Sequence, residues 1–174
     1  MAFLDLARAR YSVRKFSEKP LEREKLEQVL EAGRLAPTAC NYQPQRILVA
    51  ESAEALEKIR RCTPCSFGAP AVLVICFDKN VSAKHEHTPF DIGIVDASIV
   101  VTHLMLAAAD LGLGTTWVEN FDFPSVMREF ALPENLVPTA LLPLGYPAPD
   151  AAPNKKLHFS RKPLAETVFY NRLP

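Results

Sequence analysis

Residues 92–111, IGIVDASIVVTHLMLAAADL, constrain this chain more than any other stretch. A run of that length can cross a bilayer, yet Asp96, His103 and Asp110 are spread along it, and such groups are costly in hydrocarbon. The better reading is a central helix, apolar around most of its circumference because other layers cover it, with Gly112 as its C-terminal stop. A helix of this kind needs a sheet to lie on. RILVA (46–50) and PAVLVICF (70–77) read as buried strands, and TTWVE (115–119) and TALLPLGY (139–146) as two more. Between them, residues 21–36 place Leu26, Val29, Leu30 and Leu35 near helical spacing, and Pro37 ends that helix. AEALEKIRR and PSVMREFA read as shorter helices, the second behind Asp122 as a cap.

With an extended stretch near the start, the expected order is β-α-β-α-β-α-β-α-β, then a proline-rich tail. Seven prolines fall between residues 133 and 163, so that segment is expected to run extended rather than helical. No repeat or linker interrupts residues 1–174, which predicts a single α+β domain. Acidic and basic residues balance at 20 each, so no overall field draws the chain to nucleic acid or an anionic membrane, and any basic site is local. The opening MAFLDLARARYS reads as a short helix rather than a signal peptide, which makes the cytoplasm the expected location. Cys40, Cys62, Cys65 and Cys76 lack the spacing of a disulfide framework and are expected to be reduced, with Cys40 as small buried filler.

Four pieces carry candidate chemistry. In RARYSVRKFS (8–17), an extended backbone points Arg10, Ser12 and Arg14 to one side and Tyr11 and Val13 to the other. That makes a row of donors about 13 Å long at about 3.3 Å per residue. Arg10 and Arg14 can give forked, charge-assisted hydrogen bonds, with the Ser12 hydroxyl between them. In APTACNYQP (36–44), Thr38, Asn41 and Gln43 present donors and acceptors that suit a planar heterocycle. GLGTTWVEN (112–120) runs from the helix end toward Glu119 and Asn120, and FSRKPLAETVFYN adds Arg161. Alone, each also fits a surface strand, a helix-terminating loop or a plain αβ connection. There is no G-x-G-x-x-G and no P-loop, so side chains must do much of any phosphate binding.

In this order, R-x-S-x-R, A-P-T-x-x-N-x-Q-P, the apolar helix, G-L-G-T-x-W and S-R-K-P-x-x-E resemble the FMN-dependent nitroreductase family over essentially the whole chain. The resemblance implies an α-β-α sandwich whose central mixed sheet is flanked by helices, with a C-terminal extension packing on the partner subunit of a homodimer. It implies FMN as cofactor, NAD(P)H as reductant, and nitroaromatic, quinone or similar acceptors reduced by a ping-pong mechanism, with the chemistry at flavin N5 and no obligatory acid or base from the protein. Arg10 and Ser12 then hold the phosphate and ribityl end beside Tyr11, Arg161 joins at the phosphate, and Arg14 sits by the N1 and O2 edge, where a cation favours the reduced flavin. Pro37, Thr38, Ala39 and Asn41 match a loop that contacts the flavin of the other subunit. Trp117, Val118, Glu119 and Asn120 match the segment whose backbone N–H groups approach N5. Two departures are plain: the Phe67–Asp91 region is short where some members carry extra helices, and Asn120 stands where glycine is common.

The competing chemistries are a flavin-binding or redox-sensing protein with little turnover, and a zinc site. Cys62-x-x-Cys65 and His85-x-His87 supply four ligand types, but H-x-H is not the usual spacing and an apolar strand separates the pairs. No metal is expected.

Overall fold

The computed structural model describes residues 2–87 and 89–173. The central β2 (Ala71–Asp78) shows why the fold has three layers: every residue from Ala71 to Phe77 is buried. On one side, Leu73, Ile75 and Phe77 pack with Leu26, Val29, Val100 and Leu104. On the other, Val72, Val74 and Cys76 pack with Ile59 and Val126. A strand covered on both faces reads as an unbroken apolar run, which is why its sequence lacks alternation.

The helices of the first layer are α2 (Arg23–Arg34) and α4 (Gly93–Asp110). Those of the second are α3 (Ala53–Cys62) and α5 (Phe123–Glu129). With β1 (Gln45–Ala50), β3 (Gly114–Thr115) and β4 (Leu136–Gly145), the sheet order is β1-β2-β4-β3. All four strands pair antiparallel, and the parallel component is one bridge, Ser12 to Thr115. The β2–β4 register slips between Ile75, opposite Ala140, and Cys76, opposite Pro138. A proline lacks the donor a regular ladder needs, so Pro138 fits beside such an irregularity.

The expected central helix is α4, starting at Gly93, whose N–H donates to the Asp91 side chain at 2.9 Å. It ends as its sequence predicts: Gly112 has φ 75°, and Leu113 N–H reaches back to Ala108 O at 2.8 Å. The short opening helix is α1 (Phe3–Ala9), which takes Arg8 out of the expected strand.

Three expectations are corrected. Residues 8–17 form no strand; the extended backbone after α1 makes only isolated bridges at Ser12 and Phe16. The strand expected over 115–119 is reduced to β3, with a separate bridge from Val118 to Leu141, because the residue opposite Thr116 is Pro143, whose carbonyl accepts the Thr116 N–H at 3.4 Å but which has no N–H to return the bond. Cys40 is exposed rather than buried. The tail holds only a four-residue helix, α6 (Lys155–His158), and a single turn at Leu164–Glu166. It does not fold over its own core: Leu164, Val168, Phe169, Tyr170 and Leu173 are all exposed.

Candidate flavin site

The opening segment lies where it does because Val13 is buried, 2% exposed, against a glycine. A Cβ on Gly114 would sit 2.6 Å from Val13 Cγ2, so only glycine admits this approach. Val13 N–H donates to Thr115 O at 2.9 Å, and the Thr116 hydroxyl donates to Val13 O. With Val13 inward, Arg10, Ser12 and Arg14 turn to the other side, as the two-residue period predicts, although no ladder forms.

These three line a cavity of about 110 Å³ together with Tyr11 and Arg161. The structure therefore joins the first and last of the four sequence pieces. Asn154, Leu157 and His158 complete the wall. Sequence reasoning missed them; the only signal was their place in NKKLH, just before Arg161. Tyr11 pins the two halves together, its hydroxyl donating to Ala151 O at 3.4 Å and its ring meeting His158 edge-on at 6.3 Å.

Unpaired guanidiniums are concentrated at this cavity, although among the described residues Arg128, which donates to Ser125 Oγ, and Arg172 also lack a carboxylate partner. Arg8, Arg23, Arg34, Arg46, Arg60 and Arg61 each lie within 4 Å of a carboxylate. Among the described residues, Arg10, Arg14 and Arg161 have no acidic partner. Arg10 Nη1 meets Met105 Sδ at 3.5 Å, Arg14 Nη1 meets Ser12 O at 3.4 Å, and Arg161 Nη1 meets Leu157 O at 3.1 Å and Ser160 O at 2.8 Å. No acidic residue lines the cavity. Three uncompensated guanidiniums around one hollow suit a multiply charged anion, above all a phosphate.

The other predicted residues lie elsewhere and do not line this cavity. Pro37, Thr38, Ala39 and Asn41 form a loop after α2 in which Cys40, Asn41 and Gln43 take φ of 52°, 54° and 51°. Non-glycine residues seldom adopt such left-handed backbone. The Thr38 hydroxyl accepts the Gln43 N–H at 3.0 Å, and Ala39 N–H donates to Asp96 Oδ1 of α4 at 2.9 Å. Sequence reasoning also missed Asp96, which it used only as an argument against a membrane span.

In the third piece, Trp117 Nε1 donates to Glu119, and Val118 is buried. Asn120 O accepts the Thr63 hydroxyl at 2.6 Å. The Asn120 backbone is not left-handed, so the loop does not need the glycine common at this point. Among the described residues, the backbone N–H groups of Glu119 and Asn120 have no acceptor. Across this loop lies Cys65, 3.8 Å from Asn120 Nδ2. Burial pushes the Cys62 thiol upward, and Glu129 and Asp122 add to the shift. Burial takes Cys76 up to about 12. Both shifts favour the thiol over the thiolate that binds metal, and among the described residues no three His, Cys, Asp or Glu side chains converge as a metal set.

The Nitroreductase family's sequence profile matches residues 7–67 and 62–146. The chain belongs to the nitroreductase family. A Methanothermobacter thermautotrophicus protein with the provisional name NADH dehydrogenase/NAD(P)H nitroreductase is 30% identical, over 85% of this chain and 78% of its own length. The Bacillus subtilis FMN reductase [NAD(P)H] is 27% identical, over 84% of this chain and 66% of its own. A crystal structure of a nitroreductase family protein from Clostridium difficile 630 superposes with TM-score 0.93 at 36% identity, covering 99% of this chain and 100% of that one. The nitroreductase α+β architecture, with helices on both sides of the sheet, is therefore the fold of this chain as well.

Proposed function

We propose that residues 1–174 are a single FMN-binding domain of a cytoplasmic oxidoreductase that takes electrons from NAD(P)H and passes them to nitroaromatic, quinone or similar acceptors by a ping-pong cycle. The observation that carries this reading is the cavity walled by three arginines without carboxylate partners. Membership of the family and the name of the Bacillus subtilis FMN reductase support FMN as the group that brings the phosphate. Arg10, Arg161 and the Ser12 hydroxyl hold the phosphate and ribityl end, and Arg14 lies toward the pyrimidine edge. The unpartnered N–H groups of Glu119 and Asn120 are the donors for the N5 side. Bound there, FMN supplies hydride acceptance and donation, so the protein's part is to bind, orient and shield.

The cavity itself argues for a second chain. At about 110 Å³ it seats little more than a phosphate, and the adjoining hollow of about 380 Å³ that shares Ser12, Arg14 and Asn154 with it is open to solvent, so one chain leaves a ring lying there uncovered. Thr38 and Asn41 reach the flavin of a partner in a homodimer. Exposed Ile94 and Val95 on α4 and the apolar tail are the surfaces such a partner would cover.

The test is the absorption spectrum of the purified protein, followed by anaerobic mixing with NADH and NADPH. A yellow protein that releases FMN on denaturation and bleaches rapidly fits the reading. A colourless protein that cannot be reconstituted overturns it, and slow bleaching would move the chain to the flavin-binding, redox-sensing alternative.

A further inference from the structure

Among the described residues, Asp96 is the only buried carboxylate, 2% exposed in the first turn of α4. Its Oδ1 accepts one hydrogen bond, from Ala39 N–H, and its Oδ2 is buried with no partner at all. An unmet carboxylate oxygen in the interior is costly, and an apolar side chain at this position of an apolar helix would avoid the cost. The positive end of the α4 dipole favours a carboxylate in this first turn, but the helix gives its oxygens no hydrogen-bond donor. The loop above it gains a tether.

That loop is the left-handed turn through Cys40, Asn41 and Gln43. Strained backbone of this kind persists only where its surroundings over-determine it. Most of its hydrogen bonds close within the loop itself: Asn41 N–H to Thr38 O, Tyr42 N–H to Ala39 O, and Gln43 N–H to the Thr38 hydroxyl. These fix the turn's shape but not its direction. Ala39 to Asp96 ties it to a separate, rigid element 57 residues away.

We propose that Asp96 is the positioning residue of the flavin loop: its carboxylate holds the Ala39 N–H and so fixes the direction in which Thr38 and Asn41 are presented to the cofactor. The inference rests on the FMN reading above. It predicts a division of labour. The phosphate end is governed by Arg10 and Arg161, which belong to other parts of the chain, while Asp96 governs the ring end without touching it.

Two variants separate the roles. Asp96→Asn keeps an amide oxygen able to accept the Ala39 N–H, whereas Asp96→Ala removes the acceptor. Amide exchange at single-residue resolution on the flavin-free protein should show Ala39 protected relative to exposed Cys40 by on the order of tenfold or more, with that protection lost in Asp96→Ala and kept in Asp96→Asn. On loaded protein, Asp96→Ala should shift the visible flavin band and slow bleaching by NAD(P)H by on the order of tenfold. Competition by inorganic phosphate should stay unchanged, and Asp96→Asn should restore both ring-end signals. Equal impairment in the two variants, or a parent Ala39 amide as exchangeable as that of Cys40, would overturn the proposal. So would a folded Asp96→Ala with the parent's spectrum and rate. If Asp96→Ala does not fold, the parent's exchange and Asp96→Asn still decide. A parent chain that takes no FMN would defeat the functional reading, while the exchange measurements would still judge the tether.

Discussion

Replacing Arg161 by Ala is the cleanest probe of the arginine cavity, because little else depends on that side chain. Its guanidinium is exposed and bonds only to the carbonyls of Leu157 and Ser160, and water can take over at both, so the folded state should barely notice the loss. Arg10→Ala is less clean, since it also removes the contact with Met105. A hydrogen bond to a charged group contributes about 1.5–3 kcal/mol, which is about 10- to 150-fold in affinity at 1.4 kcal/mol per factor of ten. Because Arg161 is exposed and two other guanidiniums remain, screening puts the expected loss near the lower end, about tenfold. The assay is titration of flavin-free protein, followed by quenching of flavin fluorescence, with FMN and with riboflavin. Arg161→Ala should weaken FMN about tenfold and leave riboflavin unchanged. The gap between the two ligands should narrow near 1 M salt, where the screening length is about 3 Å. Equal weakening of both ligands, or no weakening of FMN in a folded variant, would refute the assignment of this cavity to the phosphate.

Leu104→Ala, at a fully buried position between α2 and the sheet, should cost about 2–5 kcal/mol in urea unfolding; a loss under about 1 kcal/mol would contradict the packing described. Gly93→Ala would place a Cβ 2.2 Å from Phe77 Cδ2 and should destabilise by about 1–3 kcal/mol through overpacking, so an unchanged melting temperature would count against it. Glu22 accepts the Tyr146 hydroxyl at 2.7 Å, and that bond, followed by its own backbone and Lys19, lowers its pKa from 4.5 to about 2. A carboxyl lowered on folding adds stability that is present above the unfolded value and is lost as pH falls toward the folded one. Tyr146→Phe should therefore flatten the fall in melting temperature between about pH 4.5 and pH 2. A variant as acid-sensitive as the parent would rule this out.

How much of this could be read in advance depended on how local the signal was. The run AVLVICF announces a doubly covered strand because burial on both faces removes polar alternation, and α4 carries its own stop at Gly112. The arginine row was legible through period-two geometry alone. Its failure to become a strand was not, since pairing depends on what Thr115 and Pro147 offer far along the chain. Cys40 gives no hint of its left-handed backbone, because cysteine has no preference for that region. His158 and Asn154 join the cavity only through the tail's path beside Tyr11, and Asp96 finds Ala39 across 57 residues. Residues that act through distant partners leave no periodic trace.

The seam between Tyr11 and the tail, closed across 140 residues by the bond to Ala151, has a consequence for how the molecule is made. During synthesis Arg10 and Arg14 leave the ribosome long before Arg161, and β4, an inner strand of the sheet, ends only at Gly145, so the two sides of the cavity meet only once nearly the whole chain is available. Contacts of such sequence separation are slow to close and add little until the intervening chain is in place. On the flavin reading proposed above, a phosphate bound at this seat cannot template early folding, because it meets a chain whose two ends have already come together.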